Sequence, residues 1–199
     1  MKNNDNSDMT KNLFVEKGFL GDISWYSYGD IIERLSLYMI GYKEAADIVV
    51  KKALEMPTIG TKDSYLFPVV FLYRHYFELR LKYLYLSLSE ETNDEKSNAI
   101  KDINHSLKKA WYKAKPLLRK EIMNRGSKER VSELIKTIEL FVDEFHRFDS
   151  NSFTYRYPIN KTLNNVHKGE TTSLNLQNLS LQMDFLDSLF WGIENEFPI

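Results

Sequence analysis

The segment FPVVFLYRHYFELRLKYLYL, Phe67 to Leu86, constrains the fold more than any other part of this chain. Nearly every side chain in it is Phe, Tyr, Leu or Val. A helix of that composition is apolar around most of its circumference and has to be wrapped by other elements. Arg74, Glu78 and Lys82 interrupt it at steps of four, which stacks them on one helical face. They also keep the segment from reading as a membrane span. The sequence therefore predicts a central helix with a charged ladder on a face too narrow to be fully wet.

The flanking stretches supply the wrapping. Ile31, Leu35, Tyr38, Tyr42, Ala45, Val49 and Ala53 recur at helical spacing, and Pro57 and Gly60 end that helix. Asp63 or Ser64 is the expected cap of the central helix, with Pro68 in its first turn. SEETNDEKSN reads as a polar connector. Asn104 is then the expected N-cap of a third helix carrying Leu107, Trp111 and Ala114. Lys115-Pro116 should break that helix, with a further short helix to Met123. NRGS is a turn, and Ser127 caps a fourth long helix with Val131, Leu134, Ile135, Ile138, Phe141, Val142, Phe145 and Phe148 on one stripe. Residues 149–172 lack helical periodicity and predict an irregular loop or short hairpin. The last helix carries Leu176, Leu179, Met183, Leu186, Phe190 and Ile193. The expected architecture is an all-α bundle of about five main helices. Residues 1–12 form a polar, disordered tail and 13–199 a single domain.

Composition narrows the chemistry. The chain has no cysteine, which removes disulfide scaffolds, thiolate metal sites and cysteine nucleophiles. MKNNDNSDMTKN has no apolar stretch of the signal-peptide kind, so the expected location is cytoplasmic. The 27 basic and 28 acidic residues nearly cancel, so net charge names no partner. No pair of histidines has metal-site spacing on one helix face, and no glycine-rich phosphate loop or nucleophile elbow occurs. No metal and no cofactor is expected.

Three groups of residues could carry function. The first is the ladder itself, either a structural salt bridge or one wall of a polar pocket. The second is FTYRYP, Phe153 to Pro158, whose alternation suggests an extended strand. Its Arg156, between Tyr155 and Tyr157, could stack on rings, pair with Glu78 or hold a phosphate; the alternative is a loop merely tacked down. The third is basic. From Lys101 to Arg130, ten basic residues, Lys108, Lys109, Lys113, Arg119 and Lys120 among them, face only Asp102, Glu121 and Glu129. Such a patch suits RNA, DNA or an acidic protein, or is simply a solvated face.

FLYRHYFELRLKYLYL, followed after the connector by NHSLKKAW, resembles the HEPN superfamily (higher eukaryotes and prokaryotes nucleotide-binding). Many of its members carry an Arg-x-x-x-Glu-x-x-x-Lys helix and a G-H-D/S-L-x-x-L opening to the next. The likeness spans residues 60–120 by motif and 25–195 by helix count. It implies a bundle of four to five helices, usually a homodimer, often in bacterial toxin–antitoxin or phage-defence systems. Many members are metal-independent ribonucleases with an Arg followed four to six residues later by His. This chain departs from that pattern, because no Arg here is so followed; Arg156 and His167 are too far apart in sequence.

Three readings follow. The first is a HEPN-like protein that binds nucleotide, RNA or a partner protein. The second is an unconventional ribonuclease using Arg156, with His105 or His167 as acid–base and Arg74 in support. The third is a helical adaptor or inhibitor without a ligand site, in which the ladder is structural.

Overall fold

A computed structural model describes Ser24, residues 29–124, 128–149, Ser152, Tyr155–Tyr157 and 173–196. Among these the chain is all-α: α1 Ile31–Leu54, α2 Ile59–Leu88, α3 Asn93–Ile103, α4 Leu107–Asn124, α5 Lys128–Phe148 and α6 Leu176–Glu196, with no strand. The expected N-terminal tail and most of the 149–172 excursion lie outside the described residues.

The aromatic run forms α2 and lies at the centre. Tyr73, Tyr76, Phe77, Leu81, Leu84 and Tyr85 are all essentially inaccessible. α1 packs along it as the other arm of a helical hairpin, α4 lies against a second side, and α5 packs on α4. Phe77 joins the layers, its ring centroid 6.5 Å from Phe141 and 5.9 Å from Phe145 of α5, and 6.3 Å from Phe190 of α6. Edge and tilted ring contacts at these distances add to the burial of the rings themselves.

Four expectations are corrected. SEETNDEKSN is not all connector, since α3 occupies Asn93–Ile103 behind a capping box in which Thr92 and Glu95 satisfy each other's backbone N–H. Asn104 accordingly closes α3 instead of opening α4, with φ +48°. Pro116 does not break α4. The carbonyl it leaves unbonded, one turn back, belongs to exposed Tyr112, where water can reach it. Likewise α2 begins at Ile59, so Pro68 lies inside the helix on an exposed position.

The fourth correction concerns the buried face of α1, which is Met39, Lys43, Ala46, Val50 and Ala53. Leu35, Tyr42 and Val49 only flank the core, while Tyr38 and Ile31 are exposed. The rotation places Lys43 inside, where Asp47 at 2.8 Å and Asp184 of α6 at 2.5 Å neutralise it. Tyr73 donates to Asp47 at 2.6 Å. Four polar groups thus satisfy one another, the condition for tolerating a buried lysine.

Candidate functional site

Arg74 and Glu78 are both fully buried. The guanidinium spends its donors in three directions. Nη1 reaches Glu78 Oε2 at 3.1 Å, Nη2 the His105 carbonyl at 2.7 Å, and Nε the Asp149 carbonyl at 3.2 Å, with the Asp149 carboxylate 3.6 Å away. One side chain of α2 therefore ties together the α3–α4 corner and the end of α5. The planar fork of arginine suits this and a lysine would not.

Glu78 is equally committed. Its Oε1 accepts from Lys82 Nζ at 2.7 Å and lies 3.1 Å from His105 Nδ1. Lys82 also donates to the Asn104 carbonyl at 2.7 Å. Arg74 and Lys82 so grip consecutive carbonyls and hold Asn104 at its positive φ, which Asn tolerates better than most residues. Burial alone would raise the Glu78 carboxyl. Lys82, with His105 and Arg74 behind it, outweighs burial and holds it below the ordinary carboxylate range. Burial pulls Arg74 down, against the attraction of Asp149 and Glu78.

An ionised Glu78 can only accept, so the His105 proton sits on Nδ1 and leaves Nε2 to engage a ligand. The His105 side chain is 46% exposed, unlike the carboxylate that orients it.

Beside this cluster runs a row of rings that the sequence reading missed. Phe71 stacks on His75 with centroids 5.7 Å apart and planes at 13°, and Tyr42 meets His75 edge-on at 4.4 Å. Tyr38 follows Tyr42 at 6.4 Å. Burial, reinforced by Lys82, His105 and Arg74, pushes the His75 pKa down despite Glu78, so this imidazole is a neutral ring near pH 7. The spacing of Phe71 and His75, one helical turn apart, was the available signal.

Arg156 caps the row. Its guanidinium lies 5.8 Å from the ring centroids of both Phe71 and Tyr157, within cation–π range. Of FTYRYP, the described residues Tyr155–Tyr157 do not form the extended strand expected. The chain turns at Tyr155–Arg156, and Arg156 Nε donates back to the Ser152 carbonyl. Arg156 comes close enough for its charge to work against that of Arg74. Both Glu78 oxygens, however, are taken by Arg74, Lys82 and His105. Tyr155 turns the other way, its ring 6.5 Å from Phe67. His167 lies outside the described residues.

The basic run on α4 is largely neutralised. Lys108 pairs with Asp143 at 3.2 Å, Lys109 with Asp102 at 2.7 Å, Lys115 with Glu139 at 2.8 Å and Lys120 with Glu90 at 3.4 Å. Four of its cations thus link α4 to neighbouring segments. Arg119 is exposed and Lys113 partly so. Among the described residues no cluster of His, Asp and Glu could hold a metal ion, and no helix is long and apolar enough to cross a membrane.

Comparison with family models, curated proteins and solved structures gives no match.

Proposed function

We propose that the chain binds single-stranded RNA, or a nucleotide of it, on the face formed by Phe71, His75, Tyr42 and Arg156 beside the Lys82–His105 corner. The observation that carries the reading is the ring row capped by a guanidinium. Rings of this kind stack unpaired bases whatever their identity, and adjacent cations follow the backbone. Among the described residues here, Arg74, Lys82 and Arg156 outnumber the carboxylates of Glu78 and Asp149. The face therefore attracts a phosphate even though the whole chain does not. The likeness of α2 and the α3–α4 corner to the HEPN superfamily points the same way. A homodimer in a bacterial phage-defence or toxin–antitoxin system belongs to the proposal through that likeness alone.

The test is fluorescence anisotropy of a labelled single-stranded RNA across a salt series. Arg156→Ala is expected to weaken binding and reduce the salt slope by about one contact. RNA binding with an unchanged slope in that variant would remove Arg156 from the site. No RNA retention at low salt would leave the adaptor reading.

One observation favours the second reading, a metal-independent ribonuclease: the carboxylate–imidazole pair of Glu78 and His105. With Nδ1–H held by Glu78, Nε2 can accept the proton of a ribose 2′-hydroxyl. The 2′-oxygen then attacks phosphorus, and the 5′-oxygen leaves with the proton that His105 took from the 2′-hydroxyl, relayed by water, giving a 2′,3′-cyclic phosphate and a free 5′-hydroxyl. Incubation of RNA with EDTA present tests it. Cleavage lost in His105→Gln while binding persists supports it, and the absence of cleavage by the wild-type chain ends it.

A further inference from the structure

α5 and α6 both flank α2 without packing closely on each other, and a cleft of about 560 Å³ opens between them over Val70 of α2. That lies within the roughly 300–1,000 Å³ of small-molecule sites. The α5 wall is Phe141, Phe145 and Phe148, and the α6 wall is Leu179, Met183 and Phe185. Phe141 and Phe185 meet with centroids 6.4 Å apart and planes at 28°, so the two walls join in one aromatic surface against which a planar ligand can lie.

The polar part of the lining decides what fits. Asn175, Asn178 and Gln182 line the α6 side at spacings of three and four, one column of carboxamides along the helix. Asn175 Oδ1 already accepts the Asn178 N–H at 2.9 Å, which leaves its amide NH2 to donate. Among the described residues no lysine or arginine lines the cleft, and the carboxylate there, Glu144, is held by Arg147 at 2.7 Å. A charged group would find no counter-charge among these residues, which disfavours a phosphate or carboxylate. A purely aliphatic chain would strip water from the carboxamides and offer nothing in its place. A neutral, planar heterocycle with donors and acceptors on its edge satisfies both walls, as unpaired bases do on aromatic and amide surfaces.

Position supports the same ligand. Tyr155 lines the cleft, its ring lies beside Phe67, and the next residue, Arg156, stacks on Phe71. The cleft therefore opens next to the ring row, with the turn at 155–156 between them.

We propose that the α5–α6 cleft takes the nucleobase of a nucleoside or of an unpaired nucleotide, stacked against its phenylalanines and read on its edge by Asn175, Asn178 and Gln182. This rests on the reading of the chain as an RNA-binding protein, but it is tested with ligands that carry no phosphate. Isothermal titration calorimetry of the full chain with adenosine, cytidine and decanoate is the experiment. A nucleoside binds the wild type and decanoate does not. Leu179→Trp, which fills the cleft, weakens nucleoside binding at least about tenfold. Gln182→Leu, at an exposed position that folding tolerates, weakens it by about fivefold. Lys109→Gln, on α4 and outside the cleft lining, leaves it unchanged, which shows that the losses belong to the cleft. Decanoate binding in place of nucleosides, no heat with any of the three, or a nucleoside affinity indifferent to both cleft variants would each overturn the proposal.

Discussion

The guanidinium of Arg156 lies 5.8 Å from the ring centroid of Phe71, at one end of a row of rings that continues through His75 and Tyr42. It joins the FTYRYP turn to the helix that bears the charged ladder. The ladder faces inward as a tie between three segments, and the surface beside it offers rings and cations together.

Arg74 is the knot of that tie, and its removal is expected to be severe. Arg74→Met leaves the buried Glu78 with Lys82 and His105 alone, and takes away the cation beside Asp149 and the donor to the carbonyls of His105 and Asp149. The expected loss is about 3–5 kcal/mol, read from urea unfolding by circular dichroism. Arg74→Met combined with Glu78→Met should cost less than the sum of the two single changes, since the paired charges go together. A double variant worse than the sum of the singles contradicts the pairing.

Stability is expected to fall with pH in two stages. The folded-state pKa of His75 lies below 6.5, so between that value and 6.5 the unfolded chain binds the extra proton. Stability therefore drops as pH falls through that window. Glu78 is depressed below 4.5, so its contribution is intact above 4.5 and is lost as pH falls through the folded value. Glu194 has the opposite sign, because burial raises it and its protonation in the folded state helps as pH falls. Comparing wild type with His75→Gln isolates the first stage. The difference in urea midpoint between them should change from pH 7 downward, and a constant difference contradicts it.

Lys108 and Lys109 should matter little to RNA. Each is paired with a carboxylate, Asp143 and Asp102, so neutralising the lysine also releases an anion's partner. Lys108→Gln with Lys109→Gln is expected to change RNA affinity less than about twofold at physiological salt, because exposed pairs carry little free energy and little net field. A tenfold loss would return the α4 run to the binding surface.

α3 depends on its cap. Thr92 accepts the Glu95 N–H, and Glu95 in turn accepts the Thr92 N–H at 2.9 Å. Thr92→Ala should cost about 1 kcal/mol and raise amide exchange in the first turn of α3 more than elsewhere.

The long periodic helices α5 and α6 were legible because large apolar residues return every three or four positions, and Val131, Ile135, Ile138 and Val142 of α5 and Leu176, Met183, Leu186, Phe190 and Ile193 of α6 are buried in the core. The α1 register was less so. A lysine carries no apolar signal, and the carboxylate that helps draw Lys43 inside, Asp184, lies on another helix. α3 escaped because only Ala99 and Ile103 of its residues are buried, too little to write a pattern. In the site, spacing alone revealed Arg74, Glu78 and Lys82. Their remaining partners did not show, since backbone carbonyls at 104, 105 and 149 leave no mark in a sequence. The ring row did not show either, since Tyr42, which meets His75 edge-on, lies on another helix.

The most direct test of the central claim is the affinity of Phe71→Ala for a labelled single-stranded RNA at fixed salt, with circular dichroism confirming the fold. Loss of one stacking platform should raise Kd at least about tenfold while leaving the salt slope unchanged, since Phe71 carries no charge. A Kd within about twofold of wild type, in a variant that folds normally, would contradict RNA binding on this face.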